Sequence, residues 1–285
     1  MIVFGRLGFL ARCVMVLALV IGTTGFLTMS HAASVTTTTA TVTQPSQPGQ
    51  TASALDAIQQ RGVLRVGMTG DYKPMAYFNK DTGKYEGIEV DLANSLADAL
   101  GVKLEIVKTS WPTLLQDTLD GKFDVAMSGI TRTYAREKVA YMSDGYITFG
   151  KTVLMRKEDI SKYPTLESMN NPSVRVGVNP GGTNEKFAHK YLPNATLVVH
   201  AKNAEIPGLV ANGTVDIMVT ETLEAARYIH EDTKLAAPLI DKPFTKNQFG
   251  VLMKRDQPLL NFVNMWLAQQ QLEGNVDAIL KAHTK

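Results

Sequence analysis

The chain has 285 residues, of which 45% are hydrophobic and 20% charged, values typical of a globular protein with one large or two small domains. Its formal net charge of +2, with no run of Lys and Arg interleaved with aromatic residues, argues against a nucleic-acid partner. The single cysteine, Cys13, lies in the N-terminal segment, so no disulfide framework is expected.

The N-terminal segment has the three parts of a secretory signal. Arg6 and Arg12 are the only Lys, Arg, Asp or Glu residues before position 56, an apolar stretch follows over 14–22, and small residues surround position 32. The alternative is an uncleaved membrane anchor, but the apolar stretch is shorter than the ~20 residues that span a bilayer. The sequence therefore predicts a signal peptide over 1–32 and a periplasmic protein.

A polar segment follows the predicted signal. Between residues 34 and 53 there is no charged and no aromatic residue, so 33–54 is predicted to be a flexible linker and the folded part to begin near Leu55. Removal of Arg6 and Arg12 with the signal would bring the formal charge from +2 to about zero. We therefore expect no stable membrane association after cleavage.

Predicted strands and helices then alternate in two runs. The first run comprises strand 63–68, helix 90–100, strand 103–107, helix 111–119 and strand 123–127. The second comprises strand 174–178, helix 183–191, strand 197–200, helix 204–211, strand 215–219 and helix 223–229, before an amphipathic helical tail over 257–283. This alternation is typical of parallel sheets covered by helices, so the sequence predicts an α/β protein with two lobes.

The site is expected at the carboxyl ends of the strands, just after Met127, Val178 and Val219. The five histidines show no metal-ligand spacing, and the sequence contains no nucleophile elbow, phosphate loop or dinucleotide fingerprint. Any chemistry must therefore use carboxylates, amides, hydroxyls, Lys and Arg, with no metal and no cofactor expected.

Four segments together resemble the amino-acid-binding proteins that serve bacterial ABC importers. They are Val63-Leu-Arg-Val-Gly67, Tyr85-Glu-Gly-Ile-Glu-Val-Asp91, Phe123-Asp-Val-Ala-Met-Ser-Gly-Ile-Thr131 with Arg136, and Val215-Asp-Ile-Met-Val-Thr-Glu221. The resemblance implies a two-lobed, periplasmic-binding-protein-like (type II) fold with crossovers near 148–153 and 243–250. Lobe 1 would span 55–148 plus 250–285, and lobe 2 would span 149–249.

A narrower resemblance is to the cyclohexadienyl dehydratases, which share that fold. It rests on Thr69-Gly-Asp-Tyr-Lys-Pro74, Thr109-Ser-Trp-Pro112, Met127-Ser-Gly-Ile130, Gly150-Lys-Thr152 and, most specifically, Asn179-Pro-Gly-Gly-Thr-Asn-Glu-Lys-Phe187. It implies the conversion of prephenate to phenylpyruvate or of arogenate to phenylalanine, with these small carboxylates as the ligands.

The resemblance also implies carboxylate-binding residues. Arg136 would clamp a carboxylate with its planar fork, aided by Ser128 and Thr131, although it could equally be a surface arginine. A helix is predicted to start at the glycine-rich segment of Gly182, Thr183 and Asn184. The free backbone N–H groups of such a start can bind an anion, or the segment can be only a tight turn with a helix cap.

Three further residues are candidates for the walls and charge of the cleft. Tyr72 and Trp111 would form ring-sized walls, or else pack in the core. Lys151 would supply a second cation for prephenate, which carries two carboxylates, or else be a solvated lysine.

Two glutamates decide the expected activity. In the binding-protein relatives, the position of Glu221 is usually Asp and holds the ligand's ammonium group. The resemblance to the dehydratases implies that Glu224 is the general acid that protonates the leaving hydroxyl; the alternative is a solvent-facing helix residue. Glu221 and Glu224 are three residues apart, so both would lie on one helical face if the helix has begun by Glu221. Burial of Glu224 beside a like charge would raise its pKa.

Two other functions remain open. An amino-acid-binding receptor of an ABC importer would need the clamp and an ammonium partner but no proton donor, and a signalling or adaptor domain would use the same cleft. Because Glu221 replaces an expected aspartate, the sequence leaves the preference between prephenate and arogenate open. It also leaves open whether the chain forms a homo-oligomer.

Overall fold

The computed structural model describes residues 52–284. The predicted signal peptide, 1–32, and nearly all of the predicted linker lie outside these residues. The first helix begins after Ser53, whose hydroxyl accepts the backbone N–H of Asp56, and it ends at Gly62, which has φ of 69°. The described fold thus begins beside Leu55.

The α-helices of the described part, in chain order, are α1 (Ala54–Arg61), α2 (Ile88–Leu100), α3 (Leu114–Leu119), α4 (Tyr134–Glu137), α5 (Leu166–Met169), α6 (Thr183–Tyr191), α7 (Ile206–Ala211), α8 (Thr222–Glu231), α9 (Gln257–Leu272) and α10 (Asn275–His283). Two short 3₁₀ helices cover Lys157–Asp159 and Asn203–Glu205.

The strands are β1 (Val63–Met68), β2 (Asp71–Tyr72), β3 (Ala76–Asn79), β4 (Lys84–Glu86), β5 (Lys103–Lys108), β6 (Val125–Ala126), β7 (Tyr141–Met142), β8 (Thr148–Phe149), β9 (Lys151–Arg156), β10 (Arg175–Val178), β11 (Thr196–Val199), β12 (Ile217–Glu221), β13 (Leu235–Ala236), β14 (Asn247–Gln248) and β15 (Leu252–Met253).

Two five-stranded sheets have the same plan. In the first, with the order β5-β1-β6-β15-β7, β1 runs parallel to β5 and β6, and β15 runs antiparallel to β6 and β7. In the second, with the order β11-β10-β12-β9-β13, β10 runs parallel to β11 and β12, and β9 runs antiparallel to β12 and β13. The predicted two-lobed α/β architecture is confirmed.

The chain passes between the sheets at the predicted crossovers. It leaves the first sheet after β7 and enters the second at β9, and it returns to the first sheet at β15. Between the sheets, β8 and β14 form a short antiparallel ladder in which Phe149 pairs with Asn247. The exact lobe limits, 55–148 plus 250–285 and 149–249, stay a prediction.

Each lobe has apolar packing on its own sheet. Leu64, Val66 and Leu92 are fully buried in the first lobe, and Val153, Val176 and Ile217 are fully buried in the second. Burial of such side chains contributes about 1.5–3 kcal/mol each, and it is the main source of stability in a fold without disulfides.

The predicted start of helix α3 needs correction. Residues 111–113 form a turn, and α3 begins only at Leu114, so Trp111 lies before the helix. Helix α8 begins at Thr222, one residue before the predicted start, and Glu221 ends β12, so the condition for a shared helical face of Glu221 and Glu224 is not met.

Between residues 52 and 284, no helix combines the length and apolar character needed to cross a membrane.

Candidate functional site

A small cavity lies between the two lobes, at the carboxyl ends of the parallel strands. Its lining residues are Tyr72, Trp111, Gly129, Thr131, Arg136, Asn179, Gly182, Thr183, Asn184, Asn203 and Glu221. Of the predicted residues, all but Ser128, Lys151 and Glu224 line this cavity. Gly129, Asn179 and Asn203 were not predicted.

Arg136 supplies positive charge to the cavity. It lies on the short helix α4, which begins after Thr133, and its Nη1 donates to the carbonyl oxygen of Thr131 at 2.7 Å. Burial lowers the pKa of Arg136 to about 10, while the charge of Glu221 opposes this shift. The guanidinium therefore remains a cation at neutral pH, with one edge anchored and the rest available to a carboxylate.

The start of α6 faces Arg136 from the other lobe. Gly182 is its N-cap, and Thr183 and Asn184 form its first turn. The Thr183 hydroxyl lies 3.2 Å from that of Thr131, so the two lobes touch at this point. Because the first N–H groups of a helix lack partners within it, this wall suits an anion.

Gly181 allows the lobes to approach. It has φ of 80°, and a Cβ atom at this position would lie 2.6 Å from the Cα of Pro112 in the other lobe. The turn before α6 and the backbone of Trp111 and Pro112 therefore lie close together across the cleft.

Ser128 supports the cavity from behind. Its Oγ accepts the backbone N–H of Thr69 at 2.9 Å, which ties the ends of β1 and β6 together, and it is fully buried. Ser128 therefore packs behind the residues that line the cavity and does not itself reach it.

Glu89 holds the backbone beside Ser128. Its Oε1 accepts the N–H of Gly129 at 3.0 Å and the hydroxyl of Tyr146, while its Oε2 has no partner among the described residues. Burial raises the pKa of Glu89 to about 7, and the two hydrogen bonds limit the rise. This acid shapes the cavity wall without lining it.

Tyr72 and Trp111 form an aromatic wall, with ring centroids 6.1 Å apart and planes at 68°. The indole Nε1 of Trp111 donates to Oδ1 of Asp71 at 2.9 Å. Burial raises the pKa of Asp71. The predicted aromatic wall is therefore part of the cavity, and Trp111 reaches it from the turn before α3.

Glu221 is the carboxylate of the cavity wall. It ends β12 and is 4% exposed. One carboxylate oxygen forms an ion pair with Lys151, and the other accepts the hydroxyl of Tyr72 at 3.0 Å and the amide of Asn184 at 3.4 Å. All three partners are donors, so they fix the position of the carboxylate.

Lys151 lies behind Glu221 rather than on the cavity wall. It begins β9 directly opposite Glu221 in the antiparallel register, and its Nζ also donates to the hydroxyl of Thr183 at 2.7 Å and to Oδ1 of Asn184. Burial lowers the pKa of Lys151, and the charge of Glu221 counteracts this effect. This ammonium group is bonded to three residues that line the cavity, and its role as a second cation for the ligand stays a prediction.

Glu224 lies on the first turn of α8 and is fully buried. Its Oε1 accepts the amide of Asn203 at 2.6 Å, and its Oε2 accepts the hydroxyl of Thr220. Burial raises the pKa of Glu224 well above its ordinary value, and the nearby charge of Glu221 adds to the rise. The direction of the shift is as predicted, but the shared helical face is not, because Glu221 precedes the helix.

The three unpredicted lining residues all follow strand ends. Gly129 follows β6, Asn179 follows β10, and Asn203 lies in the 3₁₀ helix after β11. The rule that ligands bind at carboxyl ends of strands would have found Asn179 directly. Asn203 comes four residues after its strand, so only the tertiary structure identifies it.

Within residues 52–284, no group of three or more His, Cys, Asp or Glu side chains is arranged to hold a metal ion.

The chain is similar to known bacterial proteins over most of its length. The family "Bacterial extracellular solute-binding proteins, family 3" matches residues 64–285. A cyclohexadienyl dehydratase of Pseudomonas aeruginosa is 41% identical over 222 residues, which cover 78% of this chain and 82% of that protein. The L-cystine-binding protein TcyJ of Escherichia coli is 27% identical over 227 residues, covering 79% of this chain and 84% of that protein.

Two solved structures extend this comparison. An ancestral amino acid-binding protein, described as a precursor of cyclohexadienyl dehydratase, has a TM-score of 0.77 and 39% identity and covers 82% of this chain and 100% of its own. An ancestral cyclohexadienyl dehydratase has a TM-score of 0.52 and 50% identity and covers 82% of this chain and 98% of its own.

Proposed function

We infer that this chain, which belongs to the bacterial extracellular solute-binding proteins of family 3, is a lyase of the cyclohexadienyl dehydratase type. It removes carbon dioxide and the ring hydroxyl from prephenate to give phenylpyruvate, or from arogenate to give phenylalanine. The observation that carries this proposal is the fully buried carboxyl of Glu224 behind the cavity wall, whose pKa is raised well above its ordinary value by burial and by the nearby charge of Glu221.

The substrate's carboxylates bind at the opposite wall. Arg136 binds one carboxylate, and the first N–H groups of α6, with the hydroxyl of Thr183, bind the other. The rings of Tyr72 and Trp111 contact the substrate ring. This orientation presents the ring hydroxyl to the side of the cavity formed by Asn203, behind which Glu224 lies.

A proton on that hydroxyl is the main help that the reaction needs, because hydroxide is a poor leaving group. The electron pair of the bond to the lost carboxyl group moves into the ring, the bond to the hydroxyl breaks, and water and carbon dioxide leave. Protonated Glu224 supplies the proton, and solvent restores it after product release.

Glu224 carries the required proton. Lys151, Tyr72 and Asn184 all donate to the carboxylate of Glu221. Burial and the nearby charge of Glu221 together raise the pKa of Glu224 well above its ordinary value, so Glu224 keeps its proton at neutral pH.

Glu224 is therefore a better proton donor than Glu221, although Glu221 lines the cavity and Glu224 lies behind it, bound by Asn203 and Thr220. Catalytic hydrogen bonds often tighten only when the substrate is bound, so this position is compatible with proton transfer to the substrate.

The proposal also includes export of the chain and its binding partners. The segment 1–32 directs the chain to the periplasm, where the mature protein works with a small carboxylate substrate and without nucleic acid or a stable membrane contact. Association into homo-oligomers is open to direct measurement.

The test is turnover by the purified protein. With prephenate, the wild type is expected to form phenylpyruvate, and Glu224→Gln to lower kcat by about 10³-fold, within the usual range for a general acid. Glu231→Gln, at an exposed position at the end of the same helix, is the matched control and is expected to stay active. If Glu224→Gln retains full turnover, Glu224 is not the acid.

The wild type also tests the importer receptor. If it binds an amino acid tightly and does not convert prephenate or arogenate, the dehydratase proposal fails. The 27% identity to an L-cystine-binding protein, against 41% to the dehydratase, makes the receptor the less supported function.

A further inference from the structure

A fully buried acid lies behind the cavity wall of the first lobe and has no part in the proposed reaction. Glu89 is on the first turn of α2, and its Oε1 accepts the backbone N–H of Gly129 at 3.0 Å and the hydroxyl of Tyr146. Its Oε2 is buried and has no hydrogen-bond partner among residues 52–284. One oxygen of this carboxyl group therefore accepts both hydrogen bonds, while the other accepts none from these residues.

Gly129 connects this acid to the ligand site. It lines the cavity, and its backbone has φ of 65°. A Cβ atom at this position would lie 2.6 Å from the ring of Tyr72, so the peptide of Gly129 and this ring pack directly against each other. Tyr72 also lines the cavity, and its hydroxyl donates to Glu221. The position of the Gly129 peptide therefore affects the position of the Tyr72 ring.

Tyr146 connects the same acid to the crossover between the lobes. It lies two residues before β8, and its backbone N–H donates to the carbonyl oxygen of Phe249 at 3.3 Å. Phe149 of β8 stacks on Phe249, with ring centroids 3.8 Å apart. Glu89 therefore joins the cavity wall to the place where the chain leaves the first lobe.

Two donors and one titratable neighbour surround Glu89. Among residues 52–284, Tyr146 is the one titratable side chain that contacts it, and no charged side chain shifts its pKa. Met75, which packs on the same turn, supplies a backbone carbonyl that accepts the N–H of Glu89 at 2.8 Å. Burial raises the pKa of Glu89 to about 7, although both hydrogen bonds and the start of a helix favour the carboxylate. Near neutral pH this group therefore exists in both protonation states.

We propose that Glu89 is a positioning residue for the ligand site and that it takes up a proton from solvent when a carboxylate ligand binds. The ligand covers Gly129, removes water from the wall and brings a negative charge to the cavity. Each change disfavours a charge on Glu89, so the pKa of Glu89 is higher in the complex. A neutral carboxyl group also binds the N–H of Gly129 less strongly than a carboxylate does, so the wall adjusts more easily to the ligand.

The direction of the pH dependence follows from this difference in pKa. The complex holds the proton of Glu89 more tightly than the free protein does, so the gain in affinity is full below the pKa of the free protein, about 7. It is lost as the pH rises through the pKa of the complex. If the pKa rises by about one on binding, affinity falls about fivefold from pH 6 to pH 8. The inference rests on the proposed function only for the choice of ligand.

The first experiment measures phenylpyruvate binding at pH 6 and pH 8 in the Glu224→Gln background, which removes the titration of Glu224. The Kd should rise about fivefold over this range. With Glu89→Gln added it should rise less than about twofold, because the amide oxygen still accepts from Gly129 and Tyr146. Glu105→Gln, at an exposed position on β5 of the same sheet, is the control and should keep the full rise. Equal pH dependence with and without Glu89→Gln overturns the proposal.

Calorimetry measures the proton directly. In buffers of different ionisation enthalpy, phenylpyruvate binding at pH 7.5 should take up about half a proton more when Glu89 is present than in Glu89→Gln. Lys151 and Arg136 are present in both proteins, so this difference reports Glu89. Equal uptake by the two proteins contradicts the proposal.

Tyr146→Phe separates this role from general support of the fold. The change leaves the carboxyl group of Glu89 in place and removes a hydrogen bond that lowers its pKa. The fall in phenylpyruvate affinity should therefore move to higher pH than in the Glu224→Gln protein. A loss of affinity that is equal at all pH values is the result of structural support alone and contradicts the proposal.

Turnover distinguishes failure of this inference from failure of the proposed function. If the wild type does not convert prephenate but phenylpyruvate binding shows the expected effect of Glu89→Gln, the dehydratase function is refuted and the role of Glu89 is supported. If the wild type converts prephenate and Glu89→Gln leaves the pH dependence unchanged, only the role of Glu89 is refuted. Absence of phenylpyruvate binding at every pH refutes both.

Discussion

The hydroxyl of Tyr72 donates to Oε2 of Glu221 at 3.0 Å, and this hydrogen bond joins the first lobe to the second. Burial, with the charge of Glu221, raises the pKa of Tyr72 well above its ordinary value, so the phenol stays a donor at all working pH values. The hydrogen bond therefore couples the position of the Glu221 carboxylate to the contact between the two lobes.

Removal of that hydroxyl tests the coupling. Tyr72→Phe is expected to lower kcat/KM for prephenate about tenfold, since a hydrogen bond to a charged group contributes about 1.5–3 kcal/mol. Tyr77→Phe is the matched control, because Tyr77 donates to Oε2 of Glu86 at 3.0 Å within the first lobe. Equal effects of the two variants in steady-state kinetics would contradict the role of Tyr72.

The buried pair of Lys151 and Glu221 makes a prediction about stability. Lys151→Met leaves Glu221 buried without its cation and should lower the free energy of unfolding by about 3–5 kcal/mol. The double variant Lys151→Met, Glu221→Leu should recover much of this loss, because no unpaired charge remains. Urea denaturation measures both.

An exposed lysine provides the comparison. Lys202 pairs with Glu205 at the surface, and Lys202→Met should change the free energy of unfolding by less than about 1 kcal/mol. If Lys151→Met behaves like Lys202→Met, Glu221 is not an isolated charge in that variant.

Glu89 predicts a pH dependence of stability. Its pKa is about 7 in the folded protein and near its ordinary value of 4.5 in the unfolded chain. The folded state therefore holds the proton more tightly, so the contribution to stability is full below pH 4.5 and is lost as the pH rises through 7. The loss is roughly 3 kcal/mol.

The comparison with Glu89→Gln isolates this group. Relative to wild type, the variant should lack this part of the decline and be more stable at pH 8, because its amide still accepts from Gly129 and Tyr146. Parallel stability curves of the two proteins from pH 5 to pH 8 would refute the assignment.

Gly181 tests lobe closure. In Gly181→Ala the new Cβ would meet the backbone of Pro112, so KM for prephenate should rise at least tenfold. Gly213→Ala has the same kind of strain, with φ of 78°, but its Cβ would meet nothing nearer than 3.8 Å. Small-angle scattering with phenylpyruvate should show closure in Gly213→Ala and not in Gly181→Ala.

Local patterns in the sequence were enough to predict the two-lobed α/β architecture. Helix α6 and strand β1 have the predicted bounds, and the other parallel strands lie within a few residues of theirs, because periodicity and glycine stops are local properties. Eight predicted residues line the cavity, since motifs at the carboxyl ends of strands converge on one cleft.

Only the tertiary structure decided how the charged groups pair. The sequence brings Glu221 and Glu224 together by spacing, but the strand-to-helix transition after Glu221 sends one to the cavity and the other into the core. Antiparallel pairing of β9 with β12 sets Lys151 against Glu221, and a contact between lobes brings Tyr72 to the same carboxylate. These are contacts between residues that are distant in sequence. No local pattern encodes them, so the sequence determined the kind of cleft and the fold decided which acid faces it.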